Sequence, residues 1–396
     1  VTAHGAARPL RIGLITGEYP PMQGGVGDYT RTLAHALAER GHTVAVLAAP
    51  GAAAEPPLHV SGSVARWGPG LYRTVAAWQR EQRLDVVNFQ YQTAAYGMSP
   101  FIHVLPVFAH VGVPWVTTFH DLRAPYLFPK AGPARTGAVA LLARTSRAAV
   151  ATNSDDEAVL RRWGVRTVVQ IAIGSNITTP PPSAEERAAA RRAYGWSVHT
   201  RAIGYFGLIN VSKGLDVLID AFARVAGRDA DARLLVIGGT PGTSDPTNQA
   251  EAAAVHARIA AAGLSDRCTF TGFLDEAAAM RALCACDAIA LPYRDGASPR
   301  RGSLMAALHA ERAIITTAPR TPWAIDRAAV LVPPEDAAAL ADALAHVLGD
   351  AHERARLERA AAGLACVYAW PTIAAAFERC FAALLAPAAH PRSSPV

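Results

Sequence analysis

Short apolar runs of β-strand type alternate with helical periodicity along this chain, and they do so in two separate series. The first series has strand patterns at residues 10–16, 43–48, 85–89, 114–119, 148–152 and 168–173. The second has them at 202–206, 232–237, 268–271, 288–291, 313–317 and 329–332. Strands separated by helices require crossover connections and parallel pairing, so each series predicts a doubly wound α/β domain. Between the two lies Thr178-Thr-Pro-Pro-Pro-Ser183, a stiff proline run that predicts the boundary. The expected organisation is a Rossmann-like domain over residues 1–178, a linker over 179–200, a second Rossmann-like domain over 201–370, a helix over 371–388 and a tail over 389–396. Two such domains are expected to face each other across one cleft, where a ligand binds.

Composition narrows the function. The 396 residues are 51% apolar and 18% charged, enough for two cores, and carry a net charge of +6. That balance suits an anionic ligand or a membrane surface. Nucleic acid is excluded as the expected partner, because no Lys/Arg block, zinc spacing or aromatic RNA-binding signature is present. No uninterrupted apolar run reaches membrane-spanning length and no signal-peptide pattern opens the chain, so the expected location is cytoplasmic, with the inner face of a membrane as the open alternative. Five cysteines, an odd number, agree with a reducing compartment.

In open parallel sheets ligands collect beyond the carboxyl ends of the strands, and the candidate residues follow from that rule. In the first series, residues 10–16 lead into Gly24 and Gly25, a place where backbone must approach something closely, with Asp28 as the expected helix cap. Gln90 and Gln92 follow the strand at 85–89, and His120 and Asp121 follow the strand at 114–119. In the second series, Gly207-Leu-Ile-Asn-Val-Ser-Lys-Gly214 joins a strand to a helix. Lys213 stands out there, since of the 38 Lys and Arg residues only Lys130 and Lys213 are lysine. A compact ammonium on a loop before a helix suits an anion. A second loop carries Ser298, Arg300, Arg301, Gly302 and Ser303 into a helix, with Ser303 as the expected cap, and suits a diphosphate. Asp229-Ala-Asp231 has the spacing of some metal-holding motifs but precedes a strand, so no metal is expected there.

Taken together, Glu18-Tyr-Pro-Pro with Gly24-Gly-Val-Gly27, Phe206-Gly with Lys213-Gly-Leu-Asp-Val-Leu-Ile-Asp-Ala-Phe222, Thr271-Gly-Phe-Leu, Leu331-Val-Pro-Pro and Tyr368-Ala-Trp370 resemble the GT-B glycosyltransferases of family 4, in that family's order and over nearly the whole chain. The resemblance implies a retaining, metal-independent enzyme that moves a sugar from a nucleotide diphosphate sugar to a small-molecule, glycan or lipid-linked acceptor, with no cofactor beyond the donor. It further implies that Gly24, Gly25, Gly207, Lys213, Ser298, Arg300, Arg301, Gly302 and Ser303 serve the donor. His120 and Lys213 would lie at the reaction centre, with Gln90, Gln92 and Asp121 on the acceptor side. The final helix would cross back to the first domain. The chain departs from the family pattern at Leu208, where an arginine is usual, and at Ser298 and Ala306, where two glutamates are usual. Those departures open a second expectation, a nucleotide-sugar-binding protein or partner subunit without catalysis; an epimerase or phosphorylase is the rival within catalysis.

Overall fold

The computed structural model describes residues 8–386 apart from 23, 121, 123–131 and 240–245. It divides into two compact units, Val1–Ile173 with Trp370–Val396, and Gly174–Ala369. In the first unit β1 (Arg11–Ile15), β2 (Thr43–Leu47), β3 (His59–Ser61), β4 (Val86–Tyr91), β5 (Trp115–Phe119), β6 (Ala148–Ala151) and β7 (Val168–Gln170) form one sheet in the order β3-β2-β1-β4-β5-β6-β7. Every pairing in it is parallel. The short edge strand β3 was not expected from sequence, because three half-exposed residues carry no apolar run.

The second unit contains β8 (Arg201–Phe206), β9 (Ala232–Ile237), β10 (Cys268–Phe270), β11 (Ala288–Leu291), β12 (Ala313–Thr317) and β13 (Ala329–Val332), in the order β10-β9-β8-β11-β12-β13, again all parallel. Central strands such as β4 and β12 are buried at every residue, as sheets covered by helices on both faces require. In both sheets the strand order reverses beside the first strand, between β1 and β4 and between β8 and β11. These are the points at which open α/β sheets bind ligands.

Three features differ from expectation. The second unit begins at Gly174, and the stretch read as a linker carries the helix Ala184–Ala193. That helix starts with a capping box between Ser183 and Glu186, and Arg191 ties it to the Ala285 carbonyl and to Asp287. The helix Gly25–Glu39 starts before Asp28, with Gly24 as its cap residue; Asp28 adds charge to the first turn. Finally, Ala351–Leu385 is long and apolar enough, by length and composition, to cross a membrane. A 3₁₀ turn at Cys366–Tyr368 interrupts it, and its last part, Trp370–Leu385, buries Ile373, Phe377 and Phe381 in the core of the first unit. Trp370 lies beside Tyr29, and Glu378 pairs with Arg40.

Candidate active site

At the rim of the first unit, β4 and β5 bring their ends together. The His120 amide donates to the Tyr91 carbonyl at 3.1 Å, and its ring Nε2 is 2.8 Å from Gln90 Oε1. Gln90 spends its amide nitrogen on Asn88 Oδ1, and Asn88 donates to Thr118 Oγ1 at 2.9 Å. This directional chain makes Gln90 Oε1 an acceptor, so Nε2 carries the proton and Nδ1 keeps a lone pair. Burial pushes the His120 pKa down to about 4, so the ring is neutral at pH 7. Tyr29 packs edge-on against it at 4.7 Å. Gln92 opens the 3₁₀ turn Thr93–Tyr96. Asp121 lies outside the described residues.

Gly24 and Gly25 behave differently from each other. A Cβ on Gly24 would overlap the Glu18 carboxylate, so what approaches this backbone is the protein's own acid. Around Gly25 there is open space. Glu18 lies at the amino end of the helix Gly25–Glu39, where the amides of Val26 and Gly27 favour its charge. Burial outweighs them, and its pKa is raised. Sequence reasoning quoted Glu18 within a motif and gave it no role.

At the rim of the second unit, β8 runs through Gly207 and a 3₁₀ turn, Val211–Lys213, into the helix Leu215–Ala226. Gly207 has φ 131°, a conformation that side-chain-bearing residues rarely adopt, and a Cβ there would overlap Lys213 Nζ. The ammonium therefore rests on the bare α-carbon of Gly207. Among the described residues no carboxylate pairs with it. Burial first, and then the positive charge of Arg301, push its pKa down to about 8.

The second loop leads into the helix Gly302–His309. Its cap residue is Arg301 and not Ser303, whose hydroxyl is instead buried against the Tyr293 hydroxyl at 2.7 Å. The Arg301 guanidinium lies 4.8 Å over the Tyr293 ring and pairs with Asp295, which leaves less unbalanced charge than the sequence suggested. The amides of Gly302 and Ser303 are the first two of the helix and have no carbonyl to bond within it. Ser298 accepts the Arg300 amide at 3.4 Å, and its carbonyl accepts the Arg301 amide at 3.0 Å. Ala306 is 1% exposed and packs inside an apolar cluster, so no polar group comes from that position. Leu208 is half-exposed.

Among the described residues no group of three His, Cys, Asp or Glu side chains could hold a metal ion. Asp229 of the Asp-x-Asp motif pairs with Arg201 and accepts the Asp231 amide.

Two parallel α/β units, each with its loop residues gathered at a sheet's switch point, define the architecture of a GT-B sugar transferase. Residues 24–174 match the model of the glycosyl transferase 4-like domain, and residues 200–350 match that of the glycosyl transferases group 1. The chain belongs to the family-4-like GT-B glycosyltransferases. It is 29% identical to the phosphatidyl-myo-inositol mannosyltransferase of Mycobacterium tuberculosis, over 94% of this chain and 96% of that one. It is 26% identical to the D-inositol 3-phosphate glycosyltransferase of Xylanimonas cellulosilytica, over 93% and 95%. Sucrose-phosphate synthase of Thermosynechococcus elongatus shares the fold, with a TM-score of 0.73 at 20% identity over 94% and 98% of the two chains. So does the Anabaena protein HepE, solved with UDP and glucose, with a TM-score of 0.72 at 18% identity over 94% and 100%.

Proposed function

We propose that this glycosyltransferase takes a sugar from a nucleotide diphosphate sugar and passes it, with retention and without a metal ion, to the inositol of an inositol phosphate, free or lipid-linked. The observation that carries the donor half of the reading is the Lys213 ammonium held on Gly207 at the switch point of the second sheet, with no carboxylate against it among the described residues. Breaking a glycosyl phosphate bond builds negative charge on the leaving diphosphate. Lys213 and the free amides of Gly302 and Ser303 are fixed positive groups for that charge, and one such donor is worth about 3 kcal/mol in the transition state. The departing phosphate takes the proton of the incoming hydroxyl on the same face. His120, neutral and with Nδ1 as acceptor, orients a hydroxyl of the sugar or the acceptor rather than removing its proton.

The acceptor half is supported by the names of the relatives, both of which contain inositol and one of which contains its phosphate. A lipid-linked acceptor would bring the protein to a membrane surface, and Phe101, Val107 and Phe108 of the first unit are exposed apolar side chains suited to it. The buried Ala306 and the loop-bound Ser298 favour a second reading, donor binding without transfer.

The test is nucleotide release from UDP-, GDP-, ADP- and dTDP-sugars in the presence of D-inositol 3-phosphate or phosphatidylinositol. Acceptor-dependent release with a glycosylated product supports transfer, and thermal stabilisation by a donor without release supports the second reading. A product of inverted anomeric configuration would refute the retaining mechanism.

A further inference from the structure

Arg294 ties together three loops at the carboxyl ends of the second sheet. Its amide donates to the carbonyl of Ser212, the residue before Lys213, at 3.0 Å, and a Cβ on Gly214, the residue after it, would overlap the Pro292 carbonyl. The loop that follows β11 therefore lies against both flanks of Lys213. The Arg294 side chain reaches further. Its Nη2 pairs at 2.5 Å with Oδ2 of Asp216, in the first turn of the helix Leu215–Ala226, and its Nη1 pairs at 2.6 Å with Oε1 of Glu335, beyond β13. Glu335 keeps a left-handed φ of 60°, a conformation that side-chain-bearing residues hold only where the surroundings impose it.

Asp216 is the acid nearest to Lys213 along the chain. A free carboxylate in that place would attract the ammonium and cancel the charge that a diphosphate needs. The two do not pair. Lys213 Nζ rests against Gly207, and Asp216 Oδ1 is buried without a hydrogen-bond partner, although it has lone pairs to offer. What Asp216 has instead is the Arg294 guanidinium, whose planar fork can hold two carboxylates at once. Asp295, on the same loop as Arg294, is likewise taken, by Arg301. Glu251, on the helix Pro246–Ala261, acts with Asp216 on the Tyr205 phenol, whereas the charged group that acts on Lys213 is a cation, Arg301.

We propose that Arg294 is a positioning residue for donor binding: by holding Asp216 it withholds that carboxylate from Lys213 and keeps the ammonium available to the leaving diphosphate. This assignment rests on the transferase reading above and deepens it, since it names what keeps the cation of the loop 207–214 uncompensated. Arg294 itself acts through Lys213 and needs no contact with the donor.

The test uses the full chain. Its only lysines are Lys130 and Lys213, so ¹³C-labelled lysine gives two side-chain signals by NMR, and the one missing from Lys213→Met belongs to Lys213. In wild type without ligand its titration midpoint is expected at about 8. Arg294→Gln is expected to raise the midpoint by about one unit or more, because the freed carboxylate favours the ammonium and a neighbouring cation is gone. Adding Asp216→Asn to that variant is expected to return it to within about half a unit of wild type. Calorimetry with UDP, GDP, ADP and dTDP should follow the same order, with binding about tenfold weaker in Arg294→Gln and within about threefold of wild type in the double variant. If Arg294→Gln does not fold, Arg294→Lys decides, with an expected rise of about half a unit that Asp216→Asn again reverses. A midpoint that does not move, or one that stays raised in the double variant because the loop has merely loosened, overturns the assignment. If wild type binds none of the four nucleotides, the donor reading falls and the titration still decides the role of Arg294. Nucleotide binding that is lost in Lys213→Met, beside a titration unmoved by Arg294→Gln, leaves the donor reading standing and removes only Arg294.

Discussion

The two sheets present the same junction, a first strand running through a glycine-bearing loop into a helix, yet they treat charge in opposite ways. In the first unit the amino end of the helix Gly25–Glu39 already faces a carboxylate, Glu18, and the neighbouring His120 is held neutral by burial. In the second unit the corresponding loop offers the Lys213 ammonium, and the helix Gly302–His309 starts with amides that have no internal partner. Topology alone therefore does not make an anion site. What differs is the charge the chain itself supplies at the junction: the Glu18 carboxyl in the first unit, and in the second the Lys213 ammonium, which no carboxylate among the described residues pairs.

Removing the cation should break this contrast most strongly. Lys213→Met keeps the bulk of the stem and deletes the charge, and a 100- to 1,000-fold fall in kcat/KM is expected, roughly the loss that follows removal of one oxyanion donor. Circular dichroism melts should change little by comparison. Unaltered transfer rates in this variant would show that the second rim does not receive the leaving group.

Titration gives the next largest effect. The Lys213 pKa is lowered to about 8, and the cation is the working form, so kcat/KM is expected to fall about tenfold per unit as pH rises above 8. Stability moves the other way: between about 8 and the ordinary lysine value of 10.5 the unfolded chain binds more protons than the folded one, so the folded state gains as pH rises. Lys213→Arg should remove the alkaline limb from the rate profile. His120, with its pKa near 4, should contribute no limb around 6.5.

Backbone geometry sharpens the comparison at a single residue. Gly207→Ala forces a methyl group into the space of Lys213 Nζ at φ 131°, and a stability loss of about 1–3 kcal/mol is expected, together with weaker nucleoside diphosphate binding. Chemical denaturation and calorimetry would measure both. Gly25→Ala, in open space, is expected to cost far less.

How much of this could be read beforehand depended on whether the property was local. Twelve strands and their parallel class were legible because a strand covered on both faces is an apolar run bounded by turns, as at β8 and β12. Lys213 drew notice through its rarity, and the structure places its ammonium against Gly207. The contacts of Glu18 and Tyr293 were not legible, since each depends on a partner brought in by the fold: Glu18 meets the amides of Val26 and Gly27, and Tyr293 meets Ser303. The cap at Ser303 was misread for the same reason, because its hydroxyl found a buried phenol before it could serve the helix.

Glu18 provides the smallest and most discriminating effect. Burial raises its pKa above that of a free glutamate, which means that the neutral acid fits the folded state better than the carboxylate does, even beside two helix amides. Stability from this group is therefore full below about 4.5, the ordinary glutamate value, and is lost as pH rises through the folded pKa. Glu18→Gln imitates the neutral form at every pH. At pH 7 it is expected to match or slightly exceed wild type in Tm, and the difference should vanish below pH 4.5, where both side chains are uncharged. The same substitution empties the first helix start of its negative charge, so phosphate should bind the first unit slightly more tightly. A variant that melts lower than wild type at pH 7 but not at pH 4 would show that the carboxylate is a net stabiliser of the helix dipole, and the electrostatic contrast between the two rims would have to rest on Lys213 alone.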